Sequence, residues 1–263
     1  MDALRLERGD VSLAAVDFGG HGPPVILLHG LAGYGGEWID TASWLCRRHR
    51  VVAPDLRGHG NSDKVPWTVA PRAFVTDLTA WLDALGVERA AVVGQSFGGL
   101  IAFLAAALHP ERVARLVVAE ASPAPDPDAE ADVRAWLESW PVPFRDVDAA
   151  IRFFGGESLR ARAWARGLEA REGGLWPRFD VQTLLRTLRE SAAGWWDEWS
   201  SIRCPTLVVR GEHGLPADEG QAMIARVEGA ALAAVPGAGH DVHLERPDEW
   251  RRVVQPFLAE EAP

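Results

Sequence analysis

The chain has little of what marks a secreted, membrane-bound or nucleic-acid-binding protein. Cysteine occurs only twice in 263 residues, as Cys46 and Cys204. Two thiols so far apart have neither the density of a disulfide framework nor the spacing of metal ligands, so both are expected to be small buried side chains in a reducing cytoplasm. Positive charge is in deficit, with 27 Lys and Arg against 37 Asp and Glu and a formal net charge of -10. A surface for nucleic acid or anionic lipid needs clustered Lys and Arg, so neither partner is expected. No apolar run approaches the ~20 residues that cross a bilayer. Residues 1–10 are charged throughout and lack the basic start and apolar core of a secretion signal. Internal repeats and low-complexity tracts are absent too. What is present, 48% hydrophobic and 24% charged residues over this length, suits one large α/β domain or one domain carrying an insertion.

The most informative stretch is Gly94-Gln95-Ser96-Phe97-Gly98-Gly99, between the apolar run Ala90–Val93 and a helix-like segment beginning Leu100-Ile101-Ala102. A short buried strand therefore enters a tight turn and leaves as a helix, with a serine at the apex. So sharp a turn strains the serine backbone and crowds the positions two before and two after it. Glycines at 94 and 98 relieve that crowding. This is a G-x-S-x-G nucleophile elbow in its strand–turn–helix setting, and with it the chain resembles the α/β-hydrolase superfamily.

The rest of the chain is consistent with that resemblance. Alternation predicts antiparallel edge strands over Leu4–Glu7 and Val11–Phe18, reversed at Gly9-Asp10. Buried strands are expected at Val25–Leu28, Val51–Ala53, Val113–Glu120, Thr206–Val209 and Ala231–Val235, and helices at Trp38–His49, Pro71–Leu85 and Pro247–Leu258. Between the proline-punctuated run Ser122-Pro123-Ala124-Pro125-Asp126-Pro127-Asp128 and the strand at Thr206, the patterning is helical, with no strand run. The resemblance implies an α/β-hydrolase fold: a mostly parallel sheet of about eight strands flanked by helices, with a helical cap inserted between strands 6 and 7. The core would comprise residues 1–122 and 202–263, and the cap residues 123–201. Seven of the twelve tryptophans fall in that cap. Trp136, Trp140, Trp195 and Trp196 are expected to line an aromatic substrate pocket.

The resemblance also assigns roles. The backbone amides of Leu31, after His29-Gly30, and of Phe97 are the expected oxyanion donors, with His29 bracing the loop. The run Pro54–Ser62 matches the superfamily's D-x-R-G-x-G-x-S loop, where Asp55 and Arg57 are expected to be scaffold residues. His240, in the loop after the last strand, is the expected base for Ser96. His21, His49, His59, His109, His213 and His243 are expected on surfaces or in loops. The acid is where the chain departs from the family pattern. After Leu207–Arg210 the family usually reads G-x-x-D, and here Gly211-Glu212-His213-Gly214 puts glycine in that place. Glu120, at the end of the preceding strand, is the expected substitute, as in branches such as the haloalkane dehalogenases. Asp218 and Glu212 remain in reserve.

A serine at the elbow, not an aspartate, excludes alkyl-enzyme chemistry. The expected activity is that of a carboxylesterase-like serine hydrolase, using Ser96, His240 and Glu120 on an ester of a small apolar or aromatic substrate. No metal or organic cofactor is expected. A carbon–carbon bond hydrolase or lactonase on the same triad is the alternative, and a weakly catalytic ligand receptor the alternative from another class.

Overall fold

The computed structural model describes residues 1–9, 11–124, 126 and 128–259. Asp10 of the first turn and Pro125 and Pro127 of the exit from the sheet lie outside the described residues. Strands β1 (Asp2–Arg8) and β2 (Val11–Gly19) form the antiparallel edge, followed by β3 (Pro24–Leu28), α1 (Ile39–Leu45), β4 (Arg50–Asp55) and α2 (Pro71–Ala84). β5 (Ala90–Gln95), α3 (Phe97–Leu108) and β6 (Val113–Ala119) come next. The segment up to the next sheet strand holds α4 (Ala129–Glu138), α5 (Val147–Phe153), α6 (Leu159–Arg166), the hairpin β7 (Leu168–Arg171) and β8 (Gly174–Pro177), α7 (Val181–Ser191) and α8 (Trp196–Ser200). β9 (Thr206–Gly211), α9 (Ala217–Ile224), β10 (Ala231–Val235), α10 (Val242–Glu245) and α11 (Pro247–Ala259) complete the chain.

The main sheet has eight strands in the order β1-β2-β4-β3-β5-β6-β9-β10. β1 and β2 run antiparallel to their neighbours, and every pairing from β4 to β10 is parallel. Side chains alternate between the faces of a strand, and parallel strands flanked by helices bury both. Ile26, Leu28, Val92, Leu116, Val118 and Val208 accordingly point to the face covered by α2 and α3. Val25, Leu27, Val51, Val93, Val117 and Val209 point to the other, beneath Trp38, Trp44 and Trp250.

Local sequence explains the helix limits. α2 begins with Pro71 in its first turn, buries Phe74, Val75, Leu78, Trp81 and Leu82 along one stripe, and ends before Gly86 at φ 65°. α3 is apolar all round, and residues 97–106 are all buried, because it is packed between the sheet and neighbouring helices. In the inserted segment, α5, α6 and α7 start at side-chain caps from Asp146, Ser158 and Asp180.

The structure departs from the sequence reading within that segment. The hairpin β7–β8 interrupts a stretch expected to be wholly helical; it is only four residues a strand, too short to set up a period-2 signal. Leu137, Trp140, Phe144, Phe154, Leu168 and Leu184 form a separate apolar cluster that also takes in Ala32. α8 does not join it: Trp199 is fully buried in the main core, edge-on to Phe103 of α3, with its Nε1 donating to Met223 O.

Candidate active site

The turn after β5 has the geometry that its glycines allow. Ser96 has φ 52° and ψ -121°, and α3 begins at the next residue. A Cβ on Gly94 would overlap the Gly98 carbonyl, and one on Gly98 would overlap the Leu28 and His29 carbonyls. Both are therefore glycine because backbones approach there too closely for any side chain.

Glu120 follows β6 with φ 53°, and its carboxylate is all but buried. It accepts hydrogen bonds from the amides of Gly211 (2.6 Å) and Leu215 (2.9 Å), which fix it across the ends of β6 and β9. Its Oε2 lies 3.4 Å from His240 Nδ1. A Cβ on Gly214 would overlap this carboxylate, so the glycine that replaces the family's usual aspartate clears the space that Glu120 fills. The two reserve acids lie elsewhere. Glu212 is exposed and accepts from Gly237 N (2.8 Å), and Asp218 is exposed in the first turn of α9.

His240 sits in the loop after β10, which Glu245 braces through the amides of Gly239 (2.7 Å) and Asp241 (3.2 Å). Gln95, next to Ser96, donates from Nε2 to the His240 carbonyl (2.9 Å) and so ties the elbow to the histidine loop. Desolvation by the surrounding protein pulls the His240 pKa down although 58% of its side chain is exposed, but the hydrogen bond to Glu120 and the charges of Asp241, Glu120 and Glu245 outweigh it and hold the imidazole above its ordinary value.

Leu31 and Phe97 occupy the loop after β3 and the first turn of α3. Their amides make no hydrogen bond to protein acceptors among the described residues. His29 shapes the loop: its Nε2 accepts from Leu56 N (3.0 Å), which leaves Nδ1 to donate to Gly30 O (2.7 Å). Nearby, Asp55 accepts from Gly35 N and Asn61 N, while Arg57 pairs with Asp77 through two 2.7 Å bonds. Both act on the scaffold, each with its own partner. Among the described residues, the non-glycine positions with positive φ are Ala32, Ser96 and Glu120. Such backbone strain persists only where the surroundings enforce it, and here it falls on the loop after Leu31, on the elbow and on Glu120.

Ser96 and His240 line one cavity of about 500 Å³, together with Leu31. Its other wall comes from α4, α5 and α6 and carries Trp136, Phe153, Phe154, Arg160 and Trp164. Of the four tryptophans expected there, Trp136 is in place. The other three are corrected. Trp140 is buried behind the wall, edge-on to Trp136, Phe154 and Trp164. Trp195 and Trp196 pack against the main core, Trp196 beneath the guanidinium of Arg226. Helical spacing alone cannot say which face of a cap helix looks inward, and Trp164 was missed for that reason. Its Nε1 donates to Asp241 Oδ2 (3.1 Å).

Three histidines expected on surfaces or in loops are in fact buried, His49 among them with its Nδ1 3.2 Å from Pro23 O. His59 is fully enclosed, 5.1 Å from the His29 ring. His243 stacks on Trp38 at 4.1 Å, with Nε2 3.3 Å from Glu37 Oε1. Among the described residues, no group of three or more His, Cys, Asp or Glu is placed to hold a metal ion, and no helix is long and apolar enough to cross a membrane.

Comparison with known proteins agrees with this architecture. The family model for the alpha/beta hydrolase fold matches residues 23–247. The chain is 30% identical to a putative carbamate hydrolase, RutD, of Caulobacter sp. strain K31, over 92% of this chain and 95% of that protein. It is 25% identical to 2-(acetamidomethylene)succinate hydrolase of Mesorhizobium japonicum, over 97% and 94% of the two chains. The crystal structure of E-2-(acetamidomethylene)succinate hydrolase superposes with a TM-score of 0.91 at 24% identity, covering 98% of this chain and 99% of that one. The sheet order, the elbow and a match over most of the chain lead to one conclusion: the protein belongs to the α/β-hydrolase family and is a hydrolase.

Proposed function

We propose that this hydrolase is a carboxylesterase-like serine enzyme that cleaves an ester or related acyl bond of a small molecule through an acyl-enzyme. Ser96, His240 and Glu120 are its triad, and the amides of Leu31 and Phe97 its oxyanion hole. The observation that carries this reading is the buried, doubly held Glu120 carboxylate 3.4 Å from His240 Nδ1, with His240 and Ser96 on one cavity. With Nδ1 turned to Glu120, Nε2 is the nitrogen left to take the Ser96 proton. Ser96 Oγ then attacks the carbonyl carbon, and the negative charge on its oxygen falls to the two amides. The imidazolium, stabilised by Glu120, returns the proton to the leaving alcohol, and water repeats the cycle to release the acid.

Residues 123–201 act as the cap, with α8 packed on the core through Trp199. The thiols of Cys46 and Cys204 are free, which suits the cytoplasm. The receptor alternative rested on the missing aspartate, and Glu120 supplies the carboxylate that it lacked. The similarity to a putative carbamate hydrolase and to a 2-(acetamidomethylene)succinate hydrolase widens the acyl bonds in play beyond simple esters. Turnover of p-nitrophenyl butyrate tests the reading: Ser96→Ala should abolish it, and normal turnover by that variant refutes the assignment.

A further inference from the structure

We propose that Arg160 recognises a carboxylate on the substrate, so that the preferred substrate carries a free carboxylate at the end remote from the bond that is cleaved. This rests on the serine-hydrolase reading and adds a substrate class to it.

The inference starts from which charged groups around the cavity already have partners. Two acids border it, Glu37 and Asp241. Glu37 Oε2 accepts from Tyr34 N (3.2 Å), and its Oε1 faces His243 at 3.3 Å. Asp241 Oδ2 accepts the Trp164 indole N–H. Arg160, the sole Arg or Lys among the described lining residues, is less fully engaged. Its Nη2 donates to Phe154 O (3.2 Å), while Nη1 stands 3.8 Å from Asp241 Oδ2, an ion-pair distance too long for a hydrogen bond. Of five N–H donors, one has an acceptor among the described residues, and 41% of the side chain is exposed.

A guanidinium with donors to spare, set among Trp136, Phe153, Phe154 and Trp164, matches a planar carboxylate, which it can bind through two parallel hydrogen bonds. The placement gives the substrate a direction. Ser96 stands on the core wall and Arg160 on the α6 wall, so the acyl carbonyl lies at one and the carboxylate at the other.

The test compares p-nitrophenyl half-esters of succinate, glutarate and adipate with the neutral p-nitrophenyl alkanoates of the same length. Wild type should show a higher kcat/KM for at least one half-ester than for its neutral counterpart. Arg160→Met should lower that ratio about ten- to a hundredfold, Arg160→Lys should lower it less, and the exposed Arg162→Met should leave it alone. A wild-type ratio at or below one, or a ratio unchanged in Arg160→Met, overturns the proposal. A second arm needs no turnover: glutarate titrated into Ser96→Ala, followed by tryptophan fluorescence and calorimetry. Saturable binding that Arg160→Met abolishes supports the proposal, and glutarate binding no better than glutaramide overturns it. Should no ester be hydrolysed and no fluorophosphonate label Ser96, the hydrolase reading fails, while the glutarate arm still decides the role of Arg160.

Discussion

Gly214 and Glu120 are mutually exclusive with any larger pairing: a Cβ on Gly214 would overlap the Glu120 carboxylate. The family's usual aspartate at this position and a glutamate at 120 in this pose cannot share the space. Gly214→Asp should therefore overpack the site and lower stability, on the order of 1–3 kcal/mol. In a Glu120→Gly background the same substitution should cost little and restore part of the lost activity. Thermal unfolding and ester turnover across the four proteins measure the coupling. Equal effects of Gly214→Asp in both backgrounds would show that the two positions are independent.

The acid assignment makes a ranking. Glu120→Gln should reduce kcat by up to about ten-thousandfold, because the imidazolium loses its counter-charge and its tautomer control. Asp218→Asn and Glu212→Gln should stay within a few-fold of wild type, since both side chains are exposed and the carboxylate paired with His240 is that of Glu120. Steady-state rates at saturating ester decide it, and a reversed order would move the acid to one of the other two.

The pH profile follows from His240. As a general base it must be neutral, and its neighbours hold its pKa above the ordinary 6.5. Activity should therefore fall on the acid side with a midpoint above 6.5. The raised value also means that this group's contribution to stability is complete below 6.5 and is lost as pH rises through its folded-state pKa. Asp241→Asn should move the kinetic midpoint down, because it removes one of the charges that raise it. A midpoint unchanged by that substitution would mean that Asp241 does not act on the imidazole.

His59 predicts the opposite stability trend. Burial above all, helped by His29 and Lys64 and opposed by the hydrogen bond to the Arg57 carbonyl, pulls its pKa down to about 3. The unfolded chain takes up a proton below 6.5 that the folded chain refuses, so this residue's effect on stability is neutral above 6.5 and increasingly unfavourable as pH falls towards 3. Between pH 7 and pH 5 the loss from this one group is about 2 kcal/mol. Urea midpoints at the two pH values, compared with His59→Gln, should show a steeper loss in wild type. Parallel losses in the two proteins would contradict it.

How much of this was legible in the sequence depended on where the constraint is local. The elbow was readable because its chemistry needs glycine at fixed offsets from Ser96, and the buried strands because both faces are covered and their apolar runs are continuous. His240 and Glu120 were readable as candidates because Glu120 directly follows β6 and His240 lies in the loop after β10, two parallel strands whose C-terminal ends share one edge of the sheet. Gly214 was visible as a departure, but its reason appears only when Glu120 turns across from β6. Gln95 had no signal, since the second position of the elbow motif accepts any residue and its bond to His240 spans 145 positions. The pocket was the least legible: Trp136, Trp140, Phe153, Phe154 and Trp164 lie in or just after α4, α5 and α6, and which of them meets the cavity is set by tertiary packing around Ala32 and Asp241.

The central claim is tested most directly by treating the protein with a fluorophosphonate and mapping the adduct by peptide mass spectrometry. The account predicts stoichiometric labelling on Ser96, none in Ser96→Ala, and labelling slowed by orders of magnitude in His240→Ala. An intact wild-type protein left unlabelled at Ser96, or labelled as fast without His240, would contradict it.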